Sequence, residues 1–440
     1  MTLSFPPGFV WGSATASYQV EGAVDADGRG ASIWDTFCAV PGAIANGDTG
    51  AVACDHYHRY PADVALMASL GLAAYRFSVS WPRIQPDGQG APNQKGLDHY
   101  RRVVEELLSR GIVPYVTLYH WDLPQALQDR GGWPKRDTAY RFADYAGIVH
   151  DALGDLVHHW ITLNEPKVSS HAGYGSGIHA PGVRDLALRD RAAHHLLLAH
   201  GLGVQRLRAG GAQQVGITLD LSPVVPFSAA EEDVAAAERV DVDSHRLFLD
   251  PILTGAYPAS FGSDVALPDD LPLISAPVDF LGVNYYRRML VRAAPTGHLR
   301  ALTVLPSGVP VTAVGWPVEP DGLREVLVGL KERHPSLPPV YITENGAALP
   351  DPVPADGQVH DPVRVDYLHR HLVALHEAIA AGVDVRGYFV WTLLDNFEWA
   401  EGYTARFGIV HVDFADQSRV PKTSARWYGQ VARDNAVPPR

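Results

Sequence analysis

VHHWITLNE, residues 157 to 165, passes from a histidine pair into β-branched and aromatic residues and then stops on a carboxylate. A strand with one wet face alternates polar and apolar side chains, whereas a nearly continuous apolar run belongs to a strand covered on both faces. Seven more stretches share this character: FVWGSAT (9 to 15), AAYRFSVSW (73 to 81), IVPYVTLYH (112 to 120), VGITLDL (215 to 221), VDFLGVNYY (278 to 286), VYITE (340 to 344) and VRGYFVWTLL (385 to 394). Between them lie segments of helical periodicity: 59 to 70, 97 to 110, 138 to 153, 189 to 209, 231 to 249, 321 to 333, 362 to 381, and a last one from 421 to about 434. Leu70-Gly71 and Arg110-Gly111 supply the glycine that commonly follows a helix's last turn. Strand and helix thus alternate eight times, which predicts an α/β fold closed into a (β/α)8 TIM barrel.

No polar linker interrupts the alternation, so residues 1 to 440 are expected to form a single domain. The longer aperiodic stretches, 30 to 56, 166 to 188, 258 to 276, 300 to 319 and 395 to 419, read as barrel loops. The first, second and last follow strands, and loops in that position rise from the face where barrel active sites are built.

Composition narrows the function classes. With 46% hydrophobic and 19% charged residues, the chain has a globular composition, and no apolar run approaches the roughly 18 residues of a membrane span. The N-terminus has no basic segment leading into an apolar one, so a cytoplasmic protein is expected. A net charge of −13, with basic residues only in short pairs such as Arg101-Arg102 and Arg287-Arg288, argues against a nucleic-acid groove. Cys38 and Cys54 are too few for a thiol-only metal site, and HYH at 56 to 58 lacks a third ligand at a definable spacing. No glycine pattern matches a phosphate cradle, so neither cofactor nor metal is expected. The oligomeric state is left open.

In a barrel the strand C-termini converge on one mouth. Read in order they carry Gln19 just past the first strand, Arg76 within the second, His120 and Trp121 at the third, and Asn164 and Glu165 at the fourth. Asn284 and Tyr286 follow at the sixth, Glu344 at the seventh and Trp391 at the eighth, with Glu398 and Trp399 in the loop beyond. Amides, an imidazole, indoles and carboxylates suit a sugar, whose hydroxyls need paired donors and acceptors and whose C–H face needs a flat apolar surface. Trp81, Trp133 and Trp160 read instead as packing residues. Glu165 and Glu344 together match glycoside cleavage, which requires one protonated carboxyl and one ionised carboxylate at the same pH. Arg76 is the candidate for holding Glu344 ionised, and Tyr286 for orienting it. The neighbours alone do not decide which glutamate is acid and which nucleophile.

The ordered set FVWGSATASYQVEG, YRFSVSWPRI, TLYHWDLPQAL, TLNEP, GVNYYRR, YITENG and DNFEWAEGYTARFGIVHVDF resembles the family 1 glycoside hydrolases, the β-glucosidase family, over roughly residues 5 to 435. The resemblance implies that Glu165 is the acid/base and Glu344 the nucleophile of a retaining mechanism, with carboxyls about 5 to 5.5 Å apart. It implies that Gln19, His120, Trp121, Asn164, Asn284, Glu398 and Trp399 bind the sugar with Trp391 beneath it, and that Phe407 walls the 6-position. Its substrates would be small β-glucosides, including the short oligosaccharides of cellulose breakdown, with side activity on β-galactosides and β-fucosides and with transglycosylation. Two departures fall on the aglycone side. Lys167 follows TLNEP where the family commonly has a tryptophan or another residue shaping the aglycone side, and a lysine there would make that side wetter and more basic. Pro317 after Trp316 replaces a common glutamate and removes a backbone donor. A barrel isomerase or aldolase would show a catalytic lysine or phosphate site, and a non-catalytic sugar-binding barrel would lack one of the two glutamates; neither signature is present.

Overall fold

The computed structural model describes residues 2–262, 265–352 and 357–439. Eight parallel strands close a barrel: β1 (Val10–Ala14), β2 (Ala74–Ser78), β3 (Val113–Tyr119), β4 (His159–Asn164), β5 (Gln214–Asp220), β6 (Phe280–Asn284), β7 (Val340–Asn345) and β8 (Val385–Trp391), each paired with its neighbours and β8 with β1. Each falls on one of the eight apolar stretches, with ends that differ by a few residues; β5 starts one residue earlier and β7 runs one residue further than expected. They are buried along nearly their whole length, which is why their sequences scarcely alternate.

Helices cover the outside: α1 (His56–Leu70), α2 (Gln94–Ser109), α3 (Arg136–Leu153), α4 (Leu186–Ala209), α5 (Glu231–Asp241), α6 (Asp321–Arg333), α7 (Pro362–Ala380) and α8 (Thr423–Asp434). Gly71 ends α1 at φ +81°, and Gly111 follows α2 at φ +70°, a conformation that glycine adopts without a Cβ clash. Asp185 caps α4 by accepting from Ala187 N at 2.8 Å and Leu188 N at 3.0 Å.

Aromatic side chains from the early parts of the strands plug the barrel floor. Tyr115 packs on Phe389 at 4.9 Å and on Tyr341 at 5.6 Å, and Tyr341 on Phe280 at 5.3 Å. Gly216 makes room for this layer, since a Cβ there would sit 2.5 Å from the Phe280 ring. The floor leaves the polar residues one destination, the opposite rim.

Several stretches expected to be plain loops carry short elements. Within 30 to 56 lies the helix Ile33–Cys38, started by a reciprocal Ser32–Asp35 capping box. Within 166 to 188 lies a wide-turn helix, Val168–Ser176. Strand Ala301–Val304 joins Met289–Ala293 and Val224–Pro226 in a small sheet, and Val410–Val412 pairs with Arg419–Pro421. Part of 258 to 276, residues 263–264, lies outside the described residues.

The last loop, which carries Glu398, Trp399 and Phe407, is pinned from behind by buried ion pairs. Lys422 Nζ contacts Asp351 and lies 2.8 Å from Asp395, Arg364 holds Asp351 at 2.6 Å, and Arg406 holds Asp395 at 2.8 Å. Lys422 and both aspartates are almost wholly buried, so removing the cation takes one partner from each of two buried carboxylates and leaves Arg364 and Arg406 to balance them. Lys422→Ala is expected to cost about 3 to 5 kcal/mol, read as a lowered denaturation midpoint in urea.

Candidate active site

The barrel's register decides what meets at the rim. Ala14 pairs with Arg76 and with Trp391, Asn164 with Thr218, Asp220 with Asn284, and Asn284 with Glu344. Both glutamate-bearing strands are irregular just before their carboxylates, with register shifts between Ile161 and Asn164 and between Ile342 and Glu344. Such irregularities re-aim side chains. This is how two buried strands end on acids: the shifts turn the carboxyls over the barrel axis, where polar partners wait.

Those partners form one continuous net. Arg76 donates through Nη1 to Glu344 Oε1 at 2.6 Å and through Nη2 to Asn164 Oδ1 at 2.5 Å, while its Nε donates to Thr117 Oγ1 at 3.2 Å. Tyr286 OH donates to Glu344 Oε2 at 2.6 Å. Asn284 Nδ2 donates to Glu165 Oε1 at 2.5 Å and to Asn164 Oδ1 at 3.2 Å, and Thr343 fixes the other end of that amide at 2.7 Å. Asn164 Nδ2 lies 3.0 Å from His120 Nε2, and Trp121 Nε1 donates to Asn164 O at 3.0 Å. Each carboxyl therefore has a fixed orientation before any ligand arrives.

Electrostatics separates the two acids. Burial pushes Glu165 well above the ordinary glutamate range, and the negative charges of Asp220 and Glu344 push it further. Burial also raises Glu344, but the Arg76 guanidinium and the Tyr286 hydroxyl hold it back. Glu344 is thus the first to ionise and Glu165 the one to keep its proton. His120, buried and near Arg76, is held well below the ordinary histidine range and is neutral.

A cavity of about 420 Å³ opens above this net. Of the residues expected there, His120, Trp121, Glu165, Lys167, Asn284, Tyr286, Trp316, Glu344, Trp391, Glu398, Trp399 and Phe407 line it, and Arg76, Asn164 and Gln19 stand in the wall behind. Gln19 Nε2 donates to Phe397 O at 2.9 Å and to Glu398 Oε2 at 3.2 Å. Its Oε1 and the Nδ1 of His120 are buried and have no hydrogen-bond partner among the described residues. Trp121, Glu165 and Trp399 adopt positive φ of 78°, 48° and 49°, a conformation that is costly for such side chains and that tends to cluster at functional sites. Trp81, Trp133 and Trp160 lie fully buried in the packing, as expected. Among the described residues, no group of three or more His, Cys, Asp or Glu is placed to hold a metal ion, and no helix is long and apolar enough to cross a membrane.

The profile of the family described as Glycosyl hydrolase family 1 matches residues 1–437. The chain belongs to this family. It is 53% identical to the thermostable β-glucosidase B of Thermobispora bispora, over 99% of this chain and 92% of that protein. It is 47% identical to a bifunctional β-D-glucosidase/β-D-fucosidase of Bifidobacterium breve, over 99% of this chain and 100% of the other. The solved family 1 β-glucosidase of Thermotoga maritima superposes with a TM-score of 0.96 at 47% identity, covering 100% of both chains.

Within this family 1 pocket, one expectation is corrected. Lys167 adds no free positive charge to the cavity, because its ammonium is ion-paired with Asp220, which also lines the cavity. Asp220, Arg287, His179 and Glu401 were not singled out from sequence, yet all line the cavity. Asp220 ends β5, so the same reading of strand ends would have found it.

Glu398 shows what the pocket costs the fold. Burial and the Glu344 charge push its carboxyl up to about 8 from an ordinary 4.5. Between those two pH values the folded chain keeps a proton that the unfolded chain has released, so stability falls as pH rises. Glu398→Gln is expected to raise the unfolding temperature at pH 8 and to lose most of that advantage at pH 4, in parallel thermal melts.

Proposed function

We propose that this family 1 protein is a retaining β-glucosidase in which Glu165 is the acid/base and Glu344 the nucleophile. The observation that carries the assignment is the asymmetry of their surroundings: Arg76 and Tyr286 both donate to Glu344, whereas Glu165 has Asn284 as its hydrogen-bond donor and the negative charges of Asp220 and Glu344 nearby.

In the first step a Glu344 oxygen bonds to the anomeric carbon as the bond to the aglycone oxygen breaks, and the Glu165 proton passes to that oxygen. In the second, Glu165, now a carboxylate, takes a proton from water as the water oxygen bonds to the same carbon and Glu344 leaves. Two inversions give net retention. An alcohol in place of water gives transglycosylation. The free polar atoms of Gln19 and His120, with Glu398, are the groups we assign to the sugar hydroxyls, and Trp391 and Trp399 to its C–H face.

We read the whole chain as one catalytic barrel, since strands from residue 10 to residue 391 close a single sheet and Leu3–Ser4 pairs with Ala436–Val437. The two free, buried thiols, Cys38 and Cys54, fit the reducing cytoplasm. The substrates are short β-glucosides, and we include β-fucosides because loss of one hydroxyl contact is often worth only a few kcal/mol.

The test is hydrolysis of p-nitrophenyl β-D-glucoside by the purified protein without added metal, followed by proton NMR and across pH. The β-anomer of glucose should appear first. The rate should rise as Glu344 ionises and fall as Glu165 loses its proton, with both limbs above the ordinary glutamate value because both groups are raised. Initial release of α-glucose would overturn the retaining assignment.

A further inference from the structure

The adjacent basic residues Arg287 and Arg288 part company in the fold. Arg288 is engaged by Glu325 and lies 3.3 Å from Glu319. Arg287 turns the other way, lines the cavity, and stands 5.4 Å over the ring of Trp316. Of the cations on this wall, Lys167 is committed to Asp220. Arg287 makes no hydrogen bond or ion pair to any described residue. Burial works against its charge and the Asp220 charge only partly offsets this. A half-buried guanidinium with five free donors is an unmet demand for an anion, and its planar fork matches a carboxylate bidentately.

Its position says which part of a substrate would meet it. Trp316 packs 5.2 Å from Tyr286, which holds Glu344, and Lys167 stands two residues beyond Glu165; with the sugar hydroxyls assigned to Gln19, His120 and Glu398, we assign this wall to the leaving group. An aromatic leaving group stacked on Trp316 brings its substituents to Arg287.

We propose that Arg287 is a specificity-determining residue that selects β-glucosides whose aromatic aglycone carries a carboxylate. The proposal rests on the β-glucosidase reading above and adds a substrate class to it. The pair that isolates the charge is 4-carboxyphenyl β-D-glucoside and its near-isostere 4-carbamoylphenyl β-D-glucoside, with p-nitrophenyl β-D-glucoside measured alongside. The wild type should show kcat/KM about tenfold higher for the carboxylate than for the amide at low salt, a ratio that shrinks at high salt. Arg287→Gln should bring the ratio to about one, and Arg287→Lys should keep part of it.

A wild-type ratio of one or less, or a ratio unchanged in Arg287→Gln, overturns the proposal. So does an equal loss on the carboxylate, the amide and cellobiose in that variant, which would assign Arg287 to sugar hydroxyls or to packing. Failure to turn over even p-nitrophenyl β-D-glucoside would bring down the underlying reading, and this proposal with it. The salt dependence of the wild-type ratio needs no substitution and tests the charge even if a variant fails to fold.

Discussion

Glu344→Ala is expected to lower kcat/KM for p-nitrophenyl β-D-glucoside on the order of 10⁴-fold or more. The side chain carries two tasks at once, bonding to the anomeric carbon and placing negative charge beside an oxocarbenium-like transition state, and alanine does neither. The loss should appear with every leaving group, because the bond to Glu344 forms whatever departs. The variant should still fold. A buried carboxyl that is raised in the native state costs stability at neutral pH, so its removal relieves a burden as well as leaving Arg76 without its ion-pair partner. Comparing near-native circular dichroism with the activity loss separates chemistry from misfolding.

Glu165→Ala should behave differently, and the difference identifies its role. General acid catalysis typically contributes about 10² to 10⁴-fold, most where the departing oxygen is basic. The glucose released from cellobiose departs as an alkoxide unless its oxygen is protonated, so cellobiose hydrolysis should fall by about 10³-fold. A dinitrophenyl glucoside needs no proton, so its first step should stay fast and a burst of dinitrophenol should appear while the glycosyl-enzyme waits for an unassisted water. Added azide, which needs no general base, should restore turnover and yield the β-glucosyl azide. Equal losses on both substrates, with no burst, would deny Glu165 the acid's role.

The two glutamates were visible in sequence because each ends an apolar run, and a residue there has only the barrel mouth to face. Arg76 was legible for a related reason: a charged residue inside AYRFS must find a partner within the barrel, and it finds Glu344. Asn284 was expected only as a sugar contact. Its hydrogen bond to Glu165 depends on the register between β4, β5 and β6, which no local pattern encodes. Arg287 was hidden for the opposite reason, since beside Arg288 it read only as one of the chain's short basic pairs, and only the turn after β6 sends the two side chains apart. The helix Ile33–Cys38 was within reach, because Ser32-Ile-Trp-Asp35 is a capping signal that the surrounding loop composition obscured. The three-residue strands Val224–Pro226 and Val410–Val412 are too short to show a period and exist through their partners alone.

Position matters as much as identity in the sugar pocket. Glu398 is polar enough to be solvated, yet the Asp351, Asp395 and Lys422 cluster clamps its loop over the barrel and holds it half-buried beside Gln19.

The most direct measurement of the central claim is the product formed when Glu344→Ala is given p-nitrophenyl β-D-glucoside and azide. With the nucleophile gone, azide enters the vacated face in a single displacement. Restored turnover and α-glucosyl azide, identified by the anomeric coupling in proton NMR, are the expected result. Formation of β-glucosyl azide instead, with the α-anomer arising from Glu165→Ala, would show the two roles to be reversed and contradict the account.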